Sequence, residues 1–180
     1  MIDLNAFVTA TSAFVRDHQA WAGPIVAGLA FCESLAFVSL LVPATVILIA
    51  IGALLGASGL GLTSGTFWTI CLFGAVGAML GDWLSYEVGR HYHAGVKRLW
   101  PFSRGPQIVD RAEGFIQRWG AWGVFLGRFS GPLRALVPIV AGIFDMPRLR
   151  FQAANVASGL VWSFGVLAPG AGVLEWLGLD

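Results

Sequence analysis

The sequence predicts an all-α, polytopic helical membrane protein. It would hold two broken or re-entrant apolar segments in a pseudo-inverted repeat, together with two amphipathic surface helices. Three observations lead there. Apolar side chains make up 57% of the 180 residues and charged ones 12%, with a mean hydropathy of +0.75, against about 25% charged in an average soluble domain. Two apolar runs, residues 21–56 and 119–143, each contain internal proline, and most of the cations lie between them. The length suits one domain, divided into an N-terminal helix (1–20), a first half (21–90), a basic connector (91–118) and a second half (119–180).

Taken in order, the opening residues lack the basic start and apolar core of a signal peptide. Leu4, Phe7, Val8, Thr11, Phe14 and Val15 follow helical spacing, while Asn5, Ser12, Arg16 and Asp17 fall largely on the other side. This pattern predicts a helix lying along the membrane surface. The run 21–56 carries one charge, Glu33. It is too long for one span, which needs roughly 20 residues, and slightly short for two. Pro43 removes a backbone hydrogen bond near its middle, so two short limbs joined by a break are expected. Bare backbone at membrane depth requires protein or a wet cavity around it.

Thr63 or Ser64 can cap a full span from about Gly65 to Gly89, where Gly74, Gly77, Gly81 and Ser85 form a small-residue face for close helix approach. Between Arg90 and Arg118 six Lys or Arg residues face only Asp110 and Glu113, which assigns the connector to the cytoplasm. Ile108, Ala112, Phe115, Ile116 and Trp119 form the stripe of a second surface helix. Asp145 can cap the last helix, with Pro147 in its first turn. That helix is expected from about Arg148 to Val173, loosened at Pro169, Gly170 and Gly172. A shift of 101 residues lays Phe14-Val15 on Phe115-Ile116, Ala20-Trp21 on Ala121-Trp122 and Glu33 on Arg134. Each half then reads surface helix, broken run, long helix, and such repeats point to a transporter's binding site.

Arg128 and Arg134 are the candidate anion ligands. On an unbroken helix they would diverge by about 120°, but Ser130, Gly131 and Pro132 stand between them, and Pro138 would free the Arg134 carbonyl. A mid-membrane arginine costs about 2.5–3.5 kcal/mol on insertion scales, and its donor fork suits phosphate or carboxylate. The alternative is that one or both snorkel to headgroups. Glu33 lies too deep to snorkel easily. A carboxyl group taken out of water favours its protonated form, so it can carry and release a proton; alternatively it pairs statically with Arg128 or Arg134. Asp82, Tyr86 and Arg90 stack along one helix face, as a polar lock and anchor or as a proton relay through Asp82. Asn155 can serve as interhelical glue.

His91 and His93 have no nearby carboxylate or thiolate to make a metal site, and Cys32 and Cys71 read as small buried hydrophobes. No cofactor is implied. There is no HExxH, P-loop, GxSxG or paired-carboxylate motif, so the sequence nominates no enzyme. A net charge of +1 makes no case for nucleic acid.

Four segments, FCES, GDWLSYEVGR, GRFSGPLRALVPIVAG and FDMPRLRFQAANVASGLVW, resemble the DedA family of bacterial membrane proteins, also called SNARE-associated or VTT-domain proteins. The resemblance runs from about Ala30 to Trp162. It implies two facing re-entrant segments inside a helical bundle in a bacterial cytoplasmic (inner) membrane. It implies movement of an anionic lipid, notably undecaprenyl phosphate, with phospholipids carried by related scramblases and function linked to the proton-motive force. The family's essential acid falls on Glu33 and its paired arginines on Arg128 and Arg134. Many members carry a second acid shortly after the first proline; here Thr45 stands there, a hydroxyl able to bind a phosphate oxygen but not to titrate. Glu33 alone, or with Asp82, would then couple protons.

The expected function is a flippase for an anionic lipid, with Arg128, Arg134, Thr45 and Ser130 on the phosphate and Glu33 binding the arginines when the slot is empty. A phospholipid scramblase, a proton-coupled ion or drug antiporter and a non-transporting scaffold remain as alternatives. Homo-oligomer formation stays open.

Overall fold

The structure is a computed structural model that describes residues 17–35, 44–92, 106–130, 134 and 136–177; for 106–112, 173–177 and Gln19 it describes the backbone only. Residues 1–16 of the expected surface helix, residues 93–105 of the basic connector (with His93), Pro43, Gly131 and Pro132 lie outside the described residues.

All regular elements among the described residues are helices: α1 (Gln19–Ser34), α2 (Ala44–Ala57), α3 (Gly65–Tyr92), α4 (Pro106–Trp119), α5 (Ala121–Gly127), α6 (Val137–Ile143) and α7 (Arg148–Leu177). The run 21–56 is two limbs, as expected, with α1 ending at Ser34 and α2 starting at Ala44. The α2 limb closes at Gly59, whose φ of 70° suits a residue without a Cβ. The second run is also broken, between Gly127 and Val137. Gly120, at φ 53°, turns the corner from α4 into α5.

Helix α3 and residues 148–172 of α7 are long and apolar enough to cross a membrane. Helix α2, at 14 residues, extends only about 21 Å, and α5 and α6 are 7 residues each. Trp68, Leu72, Val76 and Leu84 of α3 and Leu160 and Val161 of α7 are exposed.

Backbones meet through small residues. A Cβ on Gly77 would lie 2.1 Å from the Ala27 carbonyl oxygen, and one on Gly81 2.6 Å from that of Phe31, so the small face of α3 receives α1. The Ser85 hydroxyl completes it by donating to the Ser34 carbonyl at 3.4 Å. The same device joins α6 to α3, where a Cβ on Gly142 would lie 2.0 Å from the Tyr86 carbonyl oxygen, and α2 to α7, where one on Gly170 would lie 2.3 Å from that of Ile49.

Of the two expected caps for α3, Ser64 serves, its hydroxyl accepting from the Thr66 amide at 3.2 Å. Two other expectations at helix ends are corrected. Helix α7 continues past Val173 to Leu177 with Pro169 inside it, because the neighbouring turn is clamped against α2 and the lost hydrogen bond does not free the chain. Asp145 sits at the end of α6, at φ 51°, a region aspartate tolerates. The first amide bond of α7 goes to the Pro147 carbonyl at 3.1 Å, which puts that proline at the cap instead of the first turn.

Two apolar cores result. One joins Val26 and Ala30, Leu48 and Leu55, Phe67 and Ile70, and Trp162 and Leu167. The other surrounds α6 with Tyr86, Ile116, Val124, Phe151 and Ala154. Along α3 the first core ends at Ala78 and the second includes Tyr86; along α7 the order reverses, with Ala154 in one and Trp162 in the other. Polar side chains occupy the seam between.

The packing makes a simple prediction. Gly77→Val should lower stability by about 3 kcal/mol or more, because backbone must move. Gly28→Ala meets nothing within 4 Å and should be neutral or stabilising by up to about 1 kcal/mol. Thermal unfolding in detergent measures both, and equal effects would contradict the close α1–α3 approach.

Candidate functional site

The break after α5 and the start of α6 deliver two arginines into the seam. Arg128 follows directly on α5. Its Nη2 donates to Asp82 Oδ2 of α3 and, at 2.7 Å, to Asn155 Oδ1 of α7. Asn155 in turn donates from Nδ2 to the Met79 carbonyl at 3.0 Å, so it fastens α7 to α3 while orienting the guanidinium. Their side chains are almost wholly enclosed, Arg128 at 2% and Asp82 at 5% exposure.

Arg134 makes the second pair. Its Nη1 donates to Glu33 Oε1 at 2.7 Å, and its Nη2 stands 3.5 Å from the Ser34 hydroxyl. The Thr45 hydroxyl, in the first turn of α2, donates to the same Glu33 oxygen. The guanidinium carbon lies 4.2 Å from the ring centroid of Trp162. This pair is less enclosed, with Arg134 at 11% and Glu33 at 9%.

The two pairs are electrostatically one unit. Asp82 feels both arginines, and Arg134 feels Glu33, Asp82 and Arg128. Two cations and two anions balance, which a low-dielectric interior requires. Hydrogen bonding is incomplete, however. Glu33 Oε2, Asp82 Oδ1, Arg128 Nη1 and Arg134 Nε are buried without a hydrogen-bond partner among the described residues. Among the described residues, a donor on each arginine and an acceptor on each carboxylate is thus left for a further partner.

Of the residues singled out in the sequence, Glu33, Thr45, Asp82, Arg128, Arg134 and Asn155 converge here. Glu33 binds Arg134; the carboxylate on Arg128 is that of Asp82, a division of labour the sequence did not foretell. Tyr86 and Arg90 form a separate group with the loop after α6, Arg90 donating to the Tyr86 oxygen at 2.8 Å and Tyr86 to the Met146 carbonyl. Asp145 lies 3.8 Å from Arg90. Ser130 donates to the Leu126 carbonyl at 3.0 Å, a local turn bond. Pro138 falls at the beginning of α6, where a missing amide hydrogen costs nothing; it opens a helix instead of interrupting one.

Sequence reasoning gave no role to Ser34, Gly159 or Trp162. A Cβ on Gly159 would lie 3.0 Å from Arg128 Nη1, so this glycine makes room for the guanidinium. Asn155, Gly159 and Trp162 share a face of α7 through their four- and three-residue spacing, and that pattern was available in the sequence.

The VTT domain matches residues 42–172. Inner membrane protein YabI of Escherichia coli is 34% identical over 158 residues, covering 87% of this chain and 60% of that protein. An uncharacterized membrane protein of Buchnera aphidicola is 26% identical over 159 residues, 88% of this chain and 60% of its own length. A Mycobacterium tuberculosis membrane protein, also uncharacterized, is 38% identical over 110 residues, 57% of this chain and 50% of its own. The chain thus spans 60% of the length of the first two relatives. No solved structure matches it.

The pairing predicts an asymmetry between single and double changes. Asp82→Ala leaves a buried, uncompensated arginine and should cost roughly 3–5 kcal/mol, whereas Asp82→Leu combined with Arg128→Met should recover most of that loss. Unfolding in detergent reads both, and a double variant no better than the single would contradict the role of charge balance.

Proposed function

Because this chain belongs to the VTT-domain (DedA) family of membrane proteins, we propose that it carries an anionic lipid across a bacterial cytoplasmic membrane, most plausibly undecaprenyl phosphate. The observation that carries the reading is the reserve of buried donors, Arg128 Nη1 and Arg134 Nε, on two arginines whose charges are held at mid-fold. A phosphate oxygen is what such donors bind best.

The exchange runs through the more open pair. Phosphate takes Arg134, and Glu33 leaves it with a proton. Before, two arginines face two carboxylates. Afterwards, two arginines face Asp82 and a singly charged phosphate, with Glu33 neutral. Both states balance, so a proton gradient can bias one against the other. Arg128 stays on Asp82 and Asn155 and offers only its spare nitrogen. The Thr45 hydroxyl releases Glu33 Oε1 and turns to the phosphate.

The architecture supports this reading. Each half runs broken limb, then long helix. Helix α1 packs on α3 as α5 packs on α7, while α2 packs on α7 as α6 packs on α3. Exchanging the halves preserves these contacts, as a pseudo-inverted repeat with two re-entrant hairpins requires. The 101-residue shift that places Glu33 on Arg134 holds for the first limbs only, since the long helices start at Gly65 and Arg148.

In proteoliposomes with a fluorescent polyprenyl phosphate, Arg134→Ala and Glu33→Ala should each slow flipping at least about tenfold, the worth of one charge-assisted contact, while folded protein is retained. Glu33→Gln should remove the dependence on pH. Normal transport by Arg134→Ala would sink the clamp, and pH-independent flux in the unaltered protein would favour a passive scramblase.

A further inference from the structure

The proposed exchange leaves a problem. Once Glu33 departs, Arg134 loses the ion-pair partner it holds at 2.7 Å, and a long flexible side chain would be free to swing away before phosphate is secured. The remaining polar contact, to Ser34 at 3.5 Å, is too long to hold it. Trp162 is the other neighbour, with its ring centroid 4.2 Å from the guanidinium carbon and 6% of its surface exposed.

We propose that Trp162 is a positioning residue for the transport step, holding the guanidinium of Arg134 in place while its in-plane partner changes from carboxylate to phosphate. The proposal rests on the lipid-transport reading and deepens it. The chemistry follows from the shape of the group. A guanidinium points its five N–H bonds outward within its plane, and an aromatic ring attracts it through the face. Trp162 therefore uses none of the donors that Glu33 and phosphate compete for. Being neutral, it adds no charge to a site whose two states are each balanced. An acid in its place would hold Arg134 too well and compete with the substrate.

Placement on α7 supports the role. Asn155 bonds Arg128, Gly159 lies against Arg128 Nη1, and Trp162 lies against Arg134. One helix face thus touches both cations, by a side-chain amide in one case and a ring in the other. It is a common wall that sets their separation whatever Glu33 is doing.

The test replaces Trp162 alone with mono-, di-, tri- and tetrafluorotryptophan by site-specific incorporation. Fluorination drains the ring face while leaving its volume nearly unchanged, so a merely structural tryptophan would not respond. The readout is KM for fluorescent polyprenyl phosphate in proteoliposomes. KM should rise stepwise with fluorine count, reaching roughly tenfold, in line with a desolvated cation–π contact. Trp162→Phe should fall partway along the series and Trp162→Leu at its end. A flat series in protein that transports normally overturns the role of Trp162 and leaves the transport reading standing. If unsubstituted protein moves no lipid, the transport reading falls, and this role with it.

Discussion

An arginine buried among hydrocarbon needs a counter-charge, and the fold is organised around supplying two of them. Arg128 and Arg134 both turn into a seam between two apolar cores and meet carboxylates there. The seam can exist because α5 stops at Gly127 and α6 starts at Val137. The intervening chain directs Arg128 toward α3 and Arg134 toward α1. A continuous helix would have sent them to different sides.

The two ion pairs share the seam but are built differently. Arg128 is bonded to Asp82 and Asn155, and Asn155 itself is fixed to the Met79 carbonyl. Removing either charge there strands the other, so the triad ties α3, α5 and α7 together. Among the described residues, Arg134 has one ionic partner, a long polar contact and an aromatic face. Fewer described bonds and slightly greater exposure set that second pair apart from the first. Close backbone contact at Gly77, Gly81 and Gly142 holds α1 and α6 tightly on α3 around both pairs.

Much of this was legible in the sequence. Proline and glycine within the apolar runs gave the two broken limbs, and Gly74, Gly77, Gly81 and Ser85 gave the face that receives α1. The lone acid in the first run and the two arginines in the second gave the ingredients of the site. What one-dimensional spacing withheld was the choice of partners. Asp82 reads equally well as a neighbour of Tyr86 on its own helix, and only the crossing of α3 with α7 shows that it turns to Arg128. Helix ends were missed where tertiary contact overrode local rules, as at Pro169, which α2 holds within a helix. Trp162 stood out only as the closing aromatic of the last family-like segment, and its contact was hidden because the cation over its ring lies in a distant part of the chain.

The exchange itself is open to direct observation. Infrared difference spectroscopy with a singly labelled Glu33 can follow that carboxylate as a polyprenyl phosphate is added to protein in lipid nanodiscs. A protonated carboxyl band should appear on addition, with loss of the ionised band, and should be missing from Glu33→Gln. An ionised Glu33 that keeps its spectrum unchanged at saturating lipid would contradict the exchange on which the proposed transport depends.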